Sequence, residues 1–199
     1  MRQRCAAPGA SHKYHKMKKS LYNHFIPFDF RPDSPQRVSM VSTHTGIMPD
    51  RADALSVSEN ECRVGFFTDE MPQNIITRVV NFKLDVVALC GHESTTLIGN
   101  LRSTIDPDIH KGLKIWKIVD TTDWRDVEAA SCYDGCIDAF VFCIDRCQAK
   151  EELLEAFSGY HAGVPFMVST QTSADAILLA DSFAHEQCVA FGNLMPSLT

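Results

Sequence analysis

Eight cysteines give this 199-residue chain its widest chemical choice, since a thiol can be nucleophile, base, metal ligand or redox partner. They are Cys5, Cys62, Cys90, Cys132, Cys136, Cys143, Cys147 and Cys188. No two form a Cys-x-x-Cys pair, and the spacing of four in Cys132/Cys136 and Cys143/Cys147 is not that of a zinc knuckle. Cys62 and Cys188 open apolar runs, where a free thiol packs as a small hydrophobe. Packed thiols are therefore expected, with no metal and no cofactor. Two other features could meet an anion. Lys117 stands in an apolar run that reads as a strand: facing inward it could touch an anion, facing outward it is merely solvated. A helix beginning near Ser173 would offer amides and a dipole to a negative group.

These residues need elements to hold them, and the chain supplies a βα rhythm. At its centre lies Leu84-Asp85-Val86-Val87-Ala88-Leu89-Cys90-Gly91-His92-Glu93-Ser94. Val86 to Leu89 are continuously apolar, as in a strand buried on both faces of a parallel sheet. Gly91 allows a sharp turn. Ser94 can cap a helix along which Leu97, Leu101 and Ile105 repeat, and Pro107 blocks its continuation. Before it, Arg63 to Phe67 reads as a strand, Thr68 and Asp69 offer a cap, and Ile75, Ile76, Val79, Val80 and Leu84 fit a buried helix side. After it, strands are expected over 113–119, 137–142, 164–169 and 188–191. Helices carry Trp124, Val127 and Ala130; Leu153, Leu154 and Phe157; and Ala176, Leu179, Ala180 and Phe183. Phe25 to Phe30 is a further strand, awkward only at Pro27.

The flanks are less regular. Residues 1–10 make a poor strand, and 11–24 can form a helix whose lysines (Lys13, Lys16, Lys18, Lys19) line one solvated side. Residues 40–61 are polar, without apolar periodicity, and read as a long loop. The length and 45% hydrophobic content suit one domain. A net charge of -6 argues against a nucleic-acid or anionic-membrane binder. No apolar run approaches the ~20 residues of a membrane span, and the lysines interrupt any signal-peptide core, so a cytoplasmic location is expected.

The central stretch resembles the fourth strand of phosphoribosylanthranilate isomerases, where the pattern is Leu-Asp-x-Val-Gln-Leu-His-Gly-x-Glu-Ser. Here Ala88 stands at the glutamine and Cys90 at the histidine. Arg63 to Phe67 resembles the family's Val-Gly-Val-Phe-Val, and Lys117 its Ile-Lys-Ala lysine. The resemblance spans roughly residues 25 to 192. It implies a parallel (β/α)8 TIM barrel of one domain over 1–199, at the minimum of about 200 residues for that fold. The barrel should be incomplete: residues 1–24 diverge, the first strand is weak, and the chain stops at Thr199 before an eighth helix. A second subunit, giving a homodimer, would be one way to cover that flank.

The resemblance also implies an activity, the Amadori rearrangement of N-(5-phosphoribosyl)anthranilate in tryptophan biosynthesis, an aldose–ketose isomerisation. One acid must protonate the departing ring oxygen, and one base must remove the neighbouring carbon's proton. The family's base is a cysteine of the first strand, near which Cys5 falls without its flanking motif. The family's acid is an aspartate where this chain has Cys143; Asp145 lies two residues on. The carboxylate-binding arginine is replaced by Gln36 with Arg37 one place later, and in an extended segment that slip changes face. The phosphate-binding Gly-Gly is replaced around Ser169 and Thr170; Gly192 lies at the second phosphate loop. Candidate catalytic residues are therefore Cys5 and Asp145. Candidate substrate-binding residues are Arg37, Gln36, Cys90, Lys117, Ser169, Thr170 and Gly192. The ligand implied is a phosphosugar or other small anion. A degenerate homologue with little or no activity is expected, against two alternatives: an active isomerase with relocated groups, or a barrel that binds a small anion or a partner without catalysis.

Overall fold

The computed structural model describes residues 25–38, 62–144, 155, 157–161, 163–171, 187–192 and 195. Seven strands form one wholly parallel sheet, each bonded to the next in chain order: β1 (Phe25–Asp29), β2 (Cys62–Phe67), β3 (Val86–Leu89), β4 (Lys114–Asp120), β5 (Ala139–Cys143), β6 (Phe166–Ser169) and β7 (Cys188–Gly192). Among the described residues, helices α1 (Pro72–Phe82), α2 (Thr95–Ile105) and α3 (Trp124–Ala130) follow β2, β3 and β4 and pack on the sheet. The sheet curls as a barrel wall does. Phe25 on β1 meets Trp116 on β4 edge to face, ring centroids 5.4 Å apart, although two strands separate them in the sheet. The expected parallel TIM-type architecture, short of a full circuit, is what these strands form. The expected first strand, the helix over 11–24, the loop over 40–61 and the helix near Ser173 lie outside the described residues, and so does the chain's end.

Each strand sends alternate residues to two cores, as its period of two requires. Val64, Phe66, Val86, Ala88, Ile118, Ala139, Val141, Cys143 and Met167 fill the barrel interior. Phe67, Val87, Leu89, Ile115, Phe140, Phe142, Phe166 and Val168 face the helices. Both cores are apolar, which is why the strands read as unbroken apolar runs. Aromatic rings dominate the outer layer: Phe142, Phe157, Tyr160 and Phe166 pack with centroids 4.7–6.2 Å apart.

Local signals held in part. Ser94 caps α2, accepting from the Leu97 amide, and the helix ends at Ile105. Its buried stripe is Ile98, Leu101 and Ile105, with Ile98 in the place expected of Leu97. α1 is capped by neither Thr68 nor Asp69; Met71 is its N-cap residue and Pro72 opens the helix, where a missing N–H is harmless. Its buried stripe is Ile75, Arg78, Val79 and Phe82, and Val80 is exposed. On α3, Val127 and Ala130 are buried, whereas Trp124 is largely outside. Gly91 serves a close approach rather than a turn. Its φ is not positive, but an added Cβ would lie 2.7 Å from the Asp69 backbone nitrogen and 2.5 Å from its carboxylate. Among the described residues no helix is long and apolar enough to cross a membrane.

Candidate functional site

The C-terminal ends of the strands carry the polar residues, the end at which TIM barrels place their sites. Alternation assigns Asp29, Cys90, Asp120, Cys143 and Ser169 to the interior side of this rim, since each lies an even step from an interior residue of its own strand. Register then sets their height. Asp120 pairs with Cys143, Cys143 with Ser169, and Ser169 with Gly192, so four neighbouring strands end on one level.

Arg31 sits among these groups. Its Nε and Nη2 donate to the two Asp29 carboxylate oxygens at 2.9 and 2.7 Å, and its own amide donates to Oδ1 at 3.1 Å. Ser34 Oγ donates to Oδ2 at 2.6 Å. The guanidinium lies 6.0 Å from the Phe66 ring centre and feels the Cys90 and Cys143 thiols electrostatically. Burial alone would push the Asp29 carboxyl up, but the hydrogen bonds from Arg31 and Ser34 outweigh it and hold it below the usual range. Burial pushes the Cys90 thiol up to about 12, so it is a neutral thiol at physiological pH. Cys62, at the opposite end of the barrel, is likewise pushed up to about 12 by burial and then by Asp85.

The displaced arginine has a different fate from the one expected. The segment after β1 is turned, not extended: Ser34 N–H donates to Arg31 O, Arg37 N–H to Ser34 O, and Val38 N–H returns to Asp29 O. A face-swapping slip therefore does not apply. Gln36 and Arg37 are both exposed on this turn, and Arg31, which the sequence did not single out, is the buried cation of the rim.

Lys117 faces neither the interior nor solvent. It lies on the helix side with Ile115, buried, and its ammonium meets Glu93 Oε2 at 2.9 Å and the carbonyls of Leu89 and Gly91. The Tyr133 ring lies 5.2 Å from it. Glu93 Oε1 in turn accepts the Gly91 and Asp69 amides at 3.1 Å each. The pair clamps the loop after β3 to those after β2 and along β4, and supplies no ligand contact at the rim. Both outcomes allowed for Lys117, anion contact and solvation, give way to a buried ion pair. Thr170 also turns from the interior, and its amide donates to Gly192 O at 2.8 Å, so that donor serves the sheet instead of an anion. Ser169 remains interior, buried at the same level as Cys143. Cys5 and Asp145 lie outside the described residues. Among the described residues no group of three His, Cys, Asp or Glu side chains is placed to hold a metal.

Two interior residues that the sequence reading passed over, Asp29 and Asp120, carry the described carboxylates of this rim. Strand alternation, counted outward from Val64, Ile118 and Val141, could have found Asp120. Nothing local distinguishes Asp29 from a loop residue without the turn that brings Arg31 and Ser34 back onto it.

No family model matches the chain. A phosphoribosylanthranilate isomerase from Phocaeicola vulgatus is 25% identical over 158 residues, which span 77% of this chain and 69% of that protein. One from Paramagnetospirillum magneticum is 27% identical over 120 residues, 59% of this chain and 49% of that protein. The solved phosphoribosylanthranilate isomerase of Thermotoga maritima superposes with a TM-score of 0.64 at 16% identity, covering 91% of this chain and 82% of that one. The Thermus thermophilus structure gives 0.60 at 15% identity, covering 92% and 81%. Monomers of the dimeric Thermotoga maritima protein give 0.60 at 20% identity, covering 84% and 75%. The solved structures establish the fold, and the curated sequences make the chain a divergent homologue of phosphoribosylanthranilate isomerases.

Proposed function

We propose that this homologue is an isomerase-type barrel whose aldose–ketose chemistry has fallen to little or none. The observation that carries the reading is Cys143. It lies buried on the interior side at the end of β5, at the position where the resemblance calls for a carboxylic acid. An unperturbed thiol has a pKa near 8.5, about four units above a carboxyl, and is a correspondingly poor donor to a leaving ring oxygen. Loss of a general acid costs about 10²- to 10⁴-fold in rate. The exposed Arg37 and the Thr170 amide already bonded to β7 weaken the expected grips on carboxylate and phosphate as well. The ligand class on this reading remains a phosphosugar or other small anion, handled in the cytoplasm. A homodimer is the proposed assembly, as the related Thermotoga maritima protein is dimeric.

The test is turnover of N-(5-phosphoribosyl)anthranilate by purified protein, followed by loss of the anthranilate fluorescence, with the Thermotoga maritima enzyme assayed alongside. Turnover about 10²-fold or more below that enzyme is expected, together with failure to rescue an isomerase-deficient tryptophan auxotroph. Turnover comparable with the reference enzyme would end the reading. A sedimentation experiment reading monomer at tens of micromolar would remove the second copy.

A further inference from the structure

Among the described residues, Asp120 is the interior carboxylate in register with Cys143; Asp29, the other described carboxylate of the rim, is in register with Phe66 on the far side of the sheet. The two residues are register partners on adjacent parallel strands. Neighbouring strands lie about 4.8 Å apart, so side chains of paired residues on one face stand side by side. Trp116 and Ile118 precede Asp120 at even steps in the interior cluster, which fixes the face. Asp120 is exposed to solvent where Cys143 is buried, so it is at the open end of the barrel.

We infer that Asp120 supplies the proton for whatever ring opening this barrel still performs, one strand away from the position the acid occupies in the resemblance. The inference rests on the isomerase reading for its substrate class. In the step, the Asp120 carboxyl passes its proton to the ring oxygen as the bond from that oxygen to C1 breaks. The nitrogen lone pair forms the C1–N double bond, leaving a hydroxyl, an iminium and a carboxylate. Solvent access allows the carboxylate to take up a proton again before the next cycle. The displacement of the donor by one strand explains slow chemistry without requiring none: the donor is of the right type but is offset by a few ångströms, and such an offset costs orders of magnitude in rate.

The experiment measures slow turnover at high protein concentration against the uncatalysed rate, for wild type, Asp120→Asn, Asp120→Glu and Cys143→Asp. Wild type should exceed the uncatalysed rate, and Asp120→Asn should fall by about 10-fold or more. Formic or acetic acid added to Asp120→Asn should restore rate in proportion to its concentration, a response that a purely structural role would not give. Cys143→Asp should raise the rate and make it insensitive to Asp120→Asn. Wild type at the uncatalysed rate would overturn the role of Asp120 while leaving the degenerate-barrel reading standing. Full activity that persists in a folded Asp120→Asn variant would overturn both. Should Asp120→Asn fail to fold, Asp120→Glu decides, because moving the carboxyl by one methylene must change the rate of a proton donor, and an unchanged rate overturns the role.

Discussion

Two buried ion pairs stand at the C-terminal ends of these strands and face opposite ways. Lys117–Glu93 lies on the helix side, with side chains 5% and 1% exposed, and ties the loops after β2 and β3 to strand β4. Asp29–Arg31 lies on the interior side, at the rim, where Ser34 and the Arg31 amide share the carboxylate. The first pair answers to the Glu and Lys letters of the family pattern, and the second does not. The difference teaches that the resemblance is carried by residues that hold the barrel together. Asp85 fits the same account: at the other end of the strands its carboxylate accepts the Arg63 amide at 2.8 Å. Ser94 caps a helix. None of these matched letters touches the interior, and the letters that should do so are the ones replaced.

The contrast can be broken most severely at Lys117. Lys117→Met should destabilise the fold by about 3–5 kcal/mol, because it strands Glu93 buried without its cation. A Glu93→Leu/Lys117→Met double variant should recover part of the loss, and a double-mutant cycle by urea denaturation measures it. Arg31→Met should cost less, about 1–3 kcal/mol, because each carboxylate keeps two other donors but the Arg31 pair is the more exposed, 10% and 2% against 5% and 1%, so water reaches the vacated place more readily. Equal losses for the two arms would erase the distinction between a clamp and a rim group. Ser94→Ala should cost about 1 kcal/mol in the same measurement, the ordinary value of an N-cap.

The smallest effect concerns acid. The folded Asp29 carboxyl lies below its unfolded value, so the unfolded chain binds more protons between the two. Its contribution is present above the unfolded pKa near 4 and fades as pH falls through the folded one. Asp29→Asn should flatten part of the acid slope of stability between about pH 5 and 2. The remainder belongs to Asp138, Glu70 and Asp126, whose carboxyls are lowered as well. An unchanged slope would show that the rim pair adds nothing to folding at neutral pH.

What was legible in the sequence follows from how many neighbours each statement needs. Val86 to Leu89 had to be a doubly buried strand, because four consecutive apolar residues on alternating faces require apolar cover on both. Ser94 had to cap, because a hydroxyl three residues before an amide donor at a helix start needs no third party. The βα rhythm gave a parallel sheet with helices, and the resemblance to phosphoribosylanthranilate isomerases turned that into a barrel. By contrast, the buried sides of α1 and α2 were misplaced by one residue, at Val80 and at Leu97, because a helix's rotation about its axis is set by the sheet it packs on.

The chain alone thus determined the alternation of parallel strands and helices and put a thiol at Cys143, where the resemblance implies a carboxyl, since both are properties of residue type in order. Tertiary structure decided which charged residues face the interior. A turn of seven residues placed Arg31 inside and Arg37 outside, and the parity of one strand sent Lys117 to the helices and Asp120 to the rim. Those outcomes depend on register and on where a turn closes. Alternation groups Asp120 with Ile118 and sets Lys117 opposite, but residue type does not say which face is the interior, nor where the turn closes, until neighbouring strands are laid side by side.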